Sequence, residues 1–186
     1  IMRSIRSANQ SDIRKAQEAI GEDAKFDFRL AFANGKASEA TGDYSGAVEI
    51  YENASKLNKR YRPASYSLGE TLMVTGQVDR AIDIFKGLEK TSPWDVELKS
   101  NIATALVEKG DFEQAKKYIV GAGKLDNDNQ KLLEAKVQLL LKEGKIKPAF
   151  VLMDKMSETS AFLASKLNEL GIKFAKAGKI KSALMI

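Results

Sequence analysis

The chain has 186 residues, 44% hydrophobic and 30% charged, with 30 Lys and Arg against 25 Asp and Glu. It has no cysteine and no histidine, which excludes disulfides, thiolate nucleophiles, imidazole bases and the usual zinc ligands. No apolar run is long enough to span a bilayer, and the net charge of +5, with both signs interspersed, reads as a solvated surface rather than a nucleic-acid footprint.

Only three prolines and much Ala, Leu, Lys and Glu predict an all-α fold. Residues 1–23 read as a linker or N-terminal capping helix, with Ser11 as its cap, Ile13, Ala16, Gln17 and Ile20 on one side and Gly21 as its stop. Arg3, Arg6, Arg14 and Lys15 make this segment basic. Helix pairs are then expected over 26–40 and 45–57, 63–74 and 78–90, 96–109 and 112–124, 130–143 and 146–156, followed by 161–177 and a helix starting at Lys179. Pro63 suits a first helical turn, and Asp95, Asp128 and Asn129 suit helix caps. Trp94, the single tryptophan, is expected to pack at a joint, and Met153 and Met156 to fill the core.

The pairs repeat. Gly42, Gly76, Gly110, Gly144 and Gly178 stand 34 residues apart. Five residues after each comes an alanine: Ala47, Ala81, Ala115, Ala149 and Ala183. Nine after it comes Tyr51, Phe85, Ile119 or Met153, and seven before it Gly35, Gly69, Ala103, Val137 or Gly171. A small residue paired with a large one at fixed spacing marks two helices in close approach.

This period and pattern resemble the tetratricopeptide repeat, over Phe28 to Ile186. The early tryptophan-like position of that repeat is filled here by Ala31, Ser65 and Lys99, and its closing proline survives only as Pro93. The resemblance implies a right-handed α-solenoid of helix-turn-helix units, residues 24–186 forming four full repeats and a truncated fifth. It also implies a concave groove lined by the first helix of each repeat. The matching positions are Phe32, Lys36 and Glu39; Tyr66, Glu70 and Met73; Ser100, Thr104 and Val107; Glu134, Gln138 and Leu141; and Asn168, Ile172 and Ala175. Phe32, Tyr66 and Met73 are the expected anchors for an extended peptide or amphipathic helix.

The chaperone-type carboxylate clamp is absent, because its positions hold Phe32, Lys36, Ser67, Ser100 and Thr104. Asp126 to Asn129 lacks the glycine and closing glutamate of a calcium loop, and Gly121-Ala122-Gly123-Lys124 lacks the strand and spacing of a phosphate loop. With the exposed pair Glu18 and Glu22 as the strongest carboxylate candidate, no enzyme, metal or cofactor is expected. The function expected is a non-catalytic scaffold for a protein partner. The alternatives are a regulatory output arm behind a sensor or receiver domain, and a helical-repeat RNA binder, which the groove carboxylates Glu39, Glu70 and Glu134 oppose. Because the chain starts at Ile1 and ends 8 residues after Gly178, it is expected to be a piece of a longer protein, with a dimer contact open to its last helix; a cytoplasmic location is expected separately.

Overall fold

A computed structural model of the chain describes residues 10–153 together with Met156, Leu167, Asn168, Gly171 and Ile172. The chain divides into two compact units, Ile1–Ser92 and Pro93–Ile186. Unit 1 holds α1 (Gln10–Ile20), a 3-10 helix (Gly21–Lys25), α2 (Phe28–Ala40), α3 (Tyr44–Leu57), α4 (Arg62–Val74) and α5 (Val78–Glu89). Unit 2 holds α6 (Val96–Lys109), α7 (Phe112–Gly123), α8 (Gln130–Lys142) and α9 (Ile146–Met153). The described residues form no strand. The expected helix over 161–177, the truncated one from Lys179 and its dimer contact lie outside the described residues, apart from isolated positions.

The period governs the helix starts themselves. First helices begin at 28, 62, 96 and 130, and second helices at 44, 78, 112 and 146, always 34 apart. The same step back from Ala47 gives Ile13, buried as the periodic alanines are, so α1 keeps the repeat register although its sequence hides it. Ser11, expected as its cap, lies inside its first turn. Helix α1 packs on α2. There Gln17 Nε2 donates to Asn34 Oδ1 and to Ser38 Oγ, both at 3.1 Å.

Local chemistry sets the helix ends. Asp27 caps α2 through Arg29 N at 2.8 Å, Asp95 caps α6 through Leu98 N at 2.9 Å, and Asn129 caps α8 through Lys131 N at 3.1 Å. Because Asp27 takes the cap, α2 starts at Phe28 rather than at Phe26, which is left 81% exposed. Pro63 sits in the first turn of α4, where its missing N–H costs no helical hydrogen bond. Trp94, expected at a packed joint, is 75% exposed. In that segment it is the neighbouring Asp95 that is held, by its capping bond from Leu98 N.

Two kinds of glycine recur with the period. Gly110 ends α6 with φ +88°, a left-handed conformation that lets Asp111 N reach Leu106 O at 2.9 Å. A Cβ there would meet no atom within 4 Å, so backbone conformation and not space explains it. Gly35 is the opposite case. It has no positive φ, but a Cβ would lie 2.4 Å from the Tyr51 ring. Gly69 stands in the same relation to Phe85, again at 2.4 Å. Tyr51 and Phe85 are fully buried in these seats, and so are Ala47, Ala81, Ala115 and Ala149. The close approach expected at Gly35 and Gly69 is therefore a ring of the second helix lying on bare backbone of the first.

In unit 2, Val137, Leu141, Ala149 and Leu167 form a buried cluster against which Leu140, Ile146, Leu152, Met153 and Met156 pack. The two methionines fill the core, as their inward positions predict.

Candidate partner-binding site

In unit 1 the predicted groove positions fall on one face of α2 and α4. Phe32 is buried there. Its ring packs on Tyr51 at 5.7 Å and edge-on to Tyr61 at 5.4 Å, while Phe28 meets Tyr61 at 4.8 Å. Phe32 thus forms the floor of the face rather than an exposed anchor, because Tyr61, in the turn before α4, covers it. Lys36 Nζ stands over this floor, 5.9 Å from the Phe32 ring centre and 5.6 Å from that of Tyr51.

Glu39 joins the two helices. Its Oε2 accepts from Lys36 Nζ at 2.8 Å and its Oε1 from Thr71 Oγ1 at 2.6 Å. Thr71 and Ser67 are buried in α4, whereas Lys36, Glu39, Tyr66, Glu70 and Met73 are all half-buried. The Tyr66 ring leans edge-on to Phe85 at 6.0 Å.

The Tyr51 hydroxyl lies beneath Glu39. It makes no well-aligned hydrogen bond, although the Glu39 carboxylate and Ser67 are both within its reach. Burial, and then the negative charge of Glu39, push its pKa far above the usual value for tyrosine, with Glu70 adding in the same direction. The face is therefore a half-exposed mixture of cation, carboxylates, thioether and ring, held in register by a charge-assisted bridge over an aromatic floor.

Unit 2 treats its predicted positions differently. Ser100 and Val107 lie in the core, Ser100 Oγ donating back to Val96 O at 2.7 Å. Glu134, Gln138 and Leu141 are buried as well, and Thr104 alone of these six is half-buried. Asn168 and Ile172 are exposed, and Ala175 lies outside the described residues. The register explains part of the contrast, since the place of Glu39 and Met73 passes to Val107 and Leu141.

Sequence reasoning missed Tyr51, Tyr61 and Thr71 as parts of this face. Thr71 had a signal: it sits four residues after Ser67 on the core side of α4, where the other first helices carry Ala37, Ala105 and Leu139. A hydroxyl at an alanine position asks for a polar partner. Tyr61 had none, because its role depends on how the turn folds back.

Two comparisons place the molecule. A model of the tetratricopeptide repeat family matches residues 31–93 and 75–139, together more than half of the chain, and the chain belongs to that family. Its members are in general non-catalytic scaffolds for protein–protein interaction. Among solved structures, MamA 41-end from Desulfovibrio magneticus RS-1 is 21% identical with a TM-score of 0.67, covering 83% of this chain and 87% of that one. A thermophilic TPR protein of Thermus thermophilus is 21% identical with a TM-score of 0.64, covering 84% of this chain and 86% of that one. YrrB, described as a TPR protein with an unusual peptide-binding site, is 20% identical with a TM-score of 0.55, covering 91% and 87%. No curated protein sequence matches the chain. Among the described residues no helix is long and apolar enough to cross a membrane, and no group of three or more Asp and Glu is placed to hold a metal ion.

Proposed function

We propose that this chain is a non-catalytic scaffold that takes a peptide or amphipathic helix of a protein partner on the face of α2 and α4. The observation that carries the reading is the Lys36–Glu39–Thr71 bridge. It fixes charged and apolar groups of two successive first helices in one half-exposed surface before any partner arrives. A surface ordered in advance loses less side-chain freedom on binding, which leaves more of the contact energy as affinity. Tyr66 and Met73 supply apolar contact, and Lys36, Glu39 and Glu70 supply orientation. A peptide-binding TPR protein such as YrrB is a precedent for the class of ligand. Within unit 2 only Thr104 of the corresponding α6 and α8 positions is half-buried, while Ser100, Val107, Glu134, Gln138 and Leu141 are buried.

A photo-crosslinking amino acid at Met73 or Tyr66, used in the source cell, tests this. The expected result is a crosslink to one defined segment of a partner protein, with none from the exposed far side of α3 at Glu49. Crosslinks that are equal at all three positions, or confined to Glu49, refute it.

A further inference from the structure

Helix α7 exchanges apolar and charged residues relative to the other second helices. At the register position where α3 and α5 bury Val48 and Ile82, α7 carries Lys116. Four residues on, where they carry Glu52 and Lys86, α7 carries Val120, 58% exposed. A charge thus stands where a second helix ordinarily packs, and an apolar side chain stands in water.

The packing follows. Helix α7 touches α8 much less than α3 touches α4. Lys116 Nζ instead reaches Glu143 Oε1 at 3.1 Å and Glu113 Oε1 at 3.3 Å. Glu113, Lys116, Lys117, Val120, Gly121 and Lys124 line an open recess of about 360 Å³. Gly121 belongs to neither kind of glycine described above. Its φ is not positive, and a Cβ added to it would meet nothing within 4 Å. Gly87, one period earlier in α5, shares both properties, so Gly121 leaves open backbone beside Val120 but does not by itself set α7 apart.

We propose that this face of α7 is a second docking surface, for an acidic segment of a partner protein. One apolar side chain of that segment sits on Val120 and Gly121, and its carboxylates face Lys117 and Lys124. Charge complementarity selects the occupant: with Lys116 already bridged to Glu113 and Glu143, Lys117 and Lys124 give the lining of the apolar notch its excess positive charge. The lining holds no aromatic ring and no arginine on which a base would stack, which favours an acidic peptide over a nucleic acid. The surface lies within unit 2 and is independent of the α2 and α4 face.

The test is an NMR titration of the whole ¹⁵N-labelled chain with a short synthetic peptide of Glu and Asp around one central Leu. Amide shifts are expected on α7 and around Glu143. Lys117→Glu with Lys124→Glu, and separately Val120→Glu, should each weaken binding by about tenfold. Replacing the peptide's Leu with Ser should weaken it as well. Gly121→Ala should raise the Tm yet weaken the peptide, a pairing that a structural role for the glycine does not produce. Melting curves of the exposed-site variants keep a folding defect apart from a binding defect. The proposal is overturned if no α7 amide moves. It is also overturned if the shifts survive both Val120→Glu and the Leu-to-Ser peptide, or if an oligouridylate binds these amides more tightly than the peptide.

Discussion

Where unit 1 seats an aromatic ring on a glycine, unit 2 brings branched or flexible aliphatic groups together. Gly35 lies under Tyr51 and Gly69 under Phe85, while the same register positions in unit 2 hold Ala103 with Ile119 and Val137 with Met153. What one helix gives up in volume the other gains, so the repeat conserves the filled space and not the residues. The stacking of successive pairs differs too. In unit 1 the second helix α3 packs broadly on the following first helix α4, whereas in unit 2 the following first helix α8 packs more on first helix α6 than on second helix α7. The polar bridge follows the same division, since Glu39 and Thr71 have Val107 and Leu139 at matching positions further along.

The sharpest way to break this comparison is to empty one seat in each unit. Phe85→Ala removes a fully buried ring and should cost about 3–5 kcal/mol, against about 2 kcal/mol for Ile119→Ala, whose side chain is half-buried, as read from urea unfolding. Equal losses would show that the ring seats of unit 1 hold no more than the aliphatic contacts of unit 2.

Filling a seat should come next. Gly35→Ala drives a methyl into the Tyr51 ring and should cost about 1–3 kcal/mol. Added to Tyr51→Leu, it should cost visibly less than it does alone. A double-mutant cycle with no coupling would break the volume argument.

Tyr51 also makes the comparison sensitive to pH. Its pKa is raised in the fold above the unfolded value of about 10. Below that value both states hold the proton and the stabilisation is complete. Above it the unfolded chain loses the proton first, so stability falls as pH rises, by at most about 1.4 kcal/mol per pH unit. Tyr51→Phe should flatten this alkaline slope and, having no buried hydroxyl to satisfy, leave stability at neutral pH unchanged or higher. A parent and variant with the same slope above pH 10 would contradict the burial of this hydroxyl.

The smallest effect concerns the exposed start of α2. The Arg29 guanidinium beside Asp27 lowers that carboxyl to about 2. Its capping contribution is present above the ordinary carboxylate value and lost as pH falls through 2. Arg29→Ala should bring the NMR titration midpoint of Asp27 up towards 3.8, with little change in stability.

Much of this could be read from the residues because one period orders the chain. The glycines at left-handed turns, the buried alanines and the small–large pairs recur every 34 residues, and each marks a backbone or volume need that only a few residue types meet. Helix α1 escaped this reading. Its positions 13 and 17 hold Ile and Gln where the next pair has Ala and Tyr, so its register appears only once the burial of Ile13 is seen. The candidate face was half legible. The repeat resemblance named Lys36, Glu39, Tyr66, Glu70 and Met73, but nothing local announced that Tyr61 would cover Phe32 or that Thr71 would hold Glu39.

By itself, then, the sequence determined the all-helical repeat, its period, its caps and the close approach within each helix pair, because these are contacts of short range in the chain, set by backbone conformation and side-chain volume. Tertiary structure alone decided which predicted groove positions stay at the surface. That outcome depends on how one pair is laid on the next: Glu39 meets a hydroxyl of α4 and remains half-exposed, while Val107 and Leu141, at the same place in their own repeats, are closed into the core.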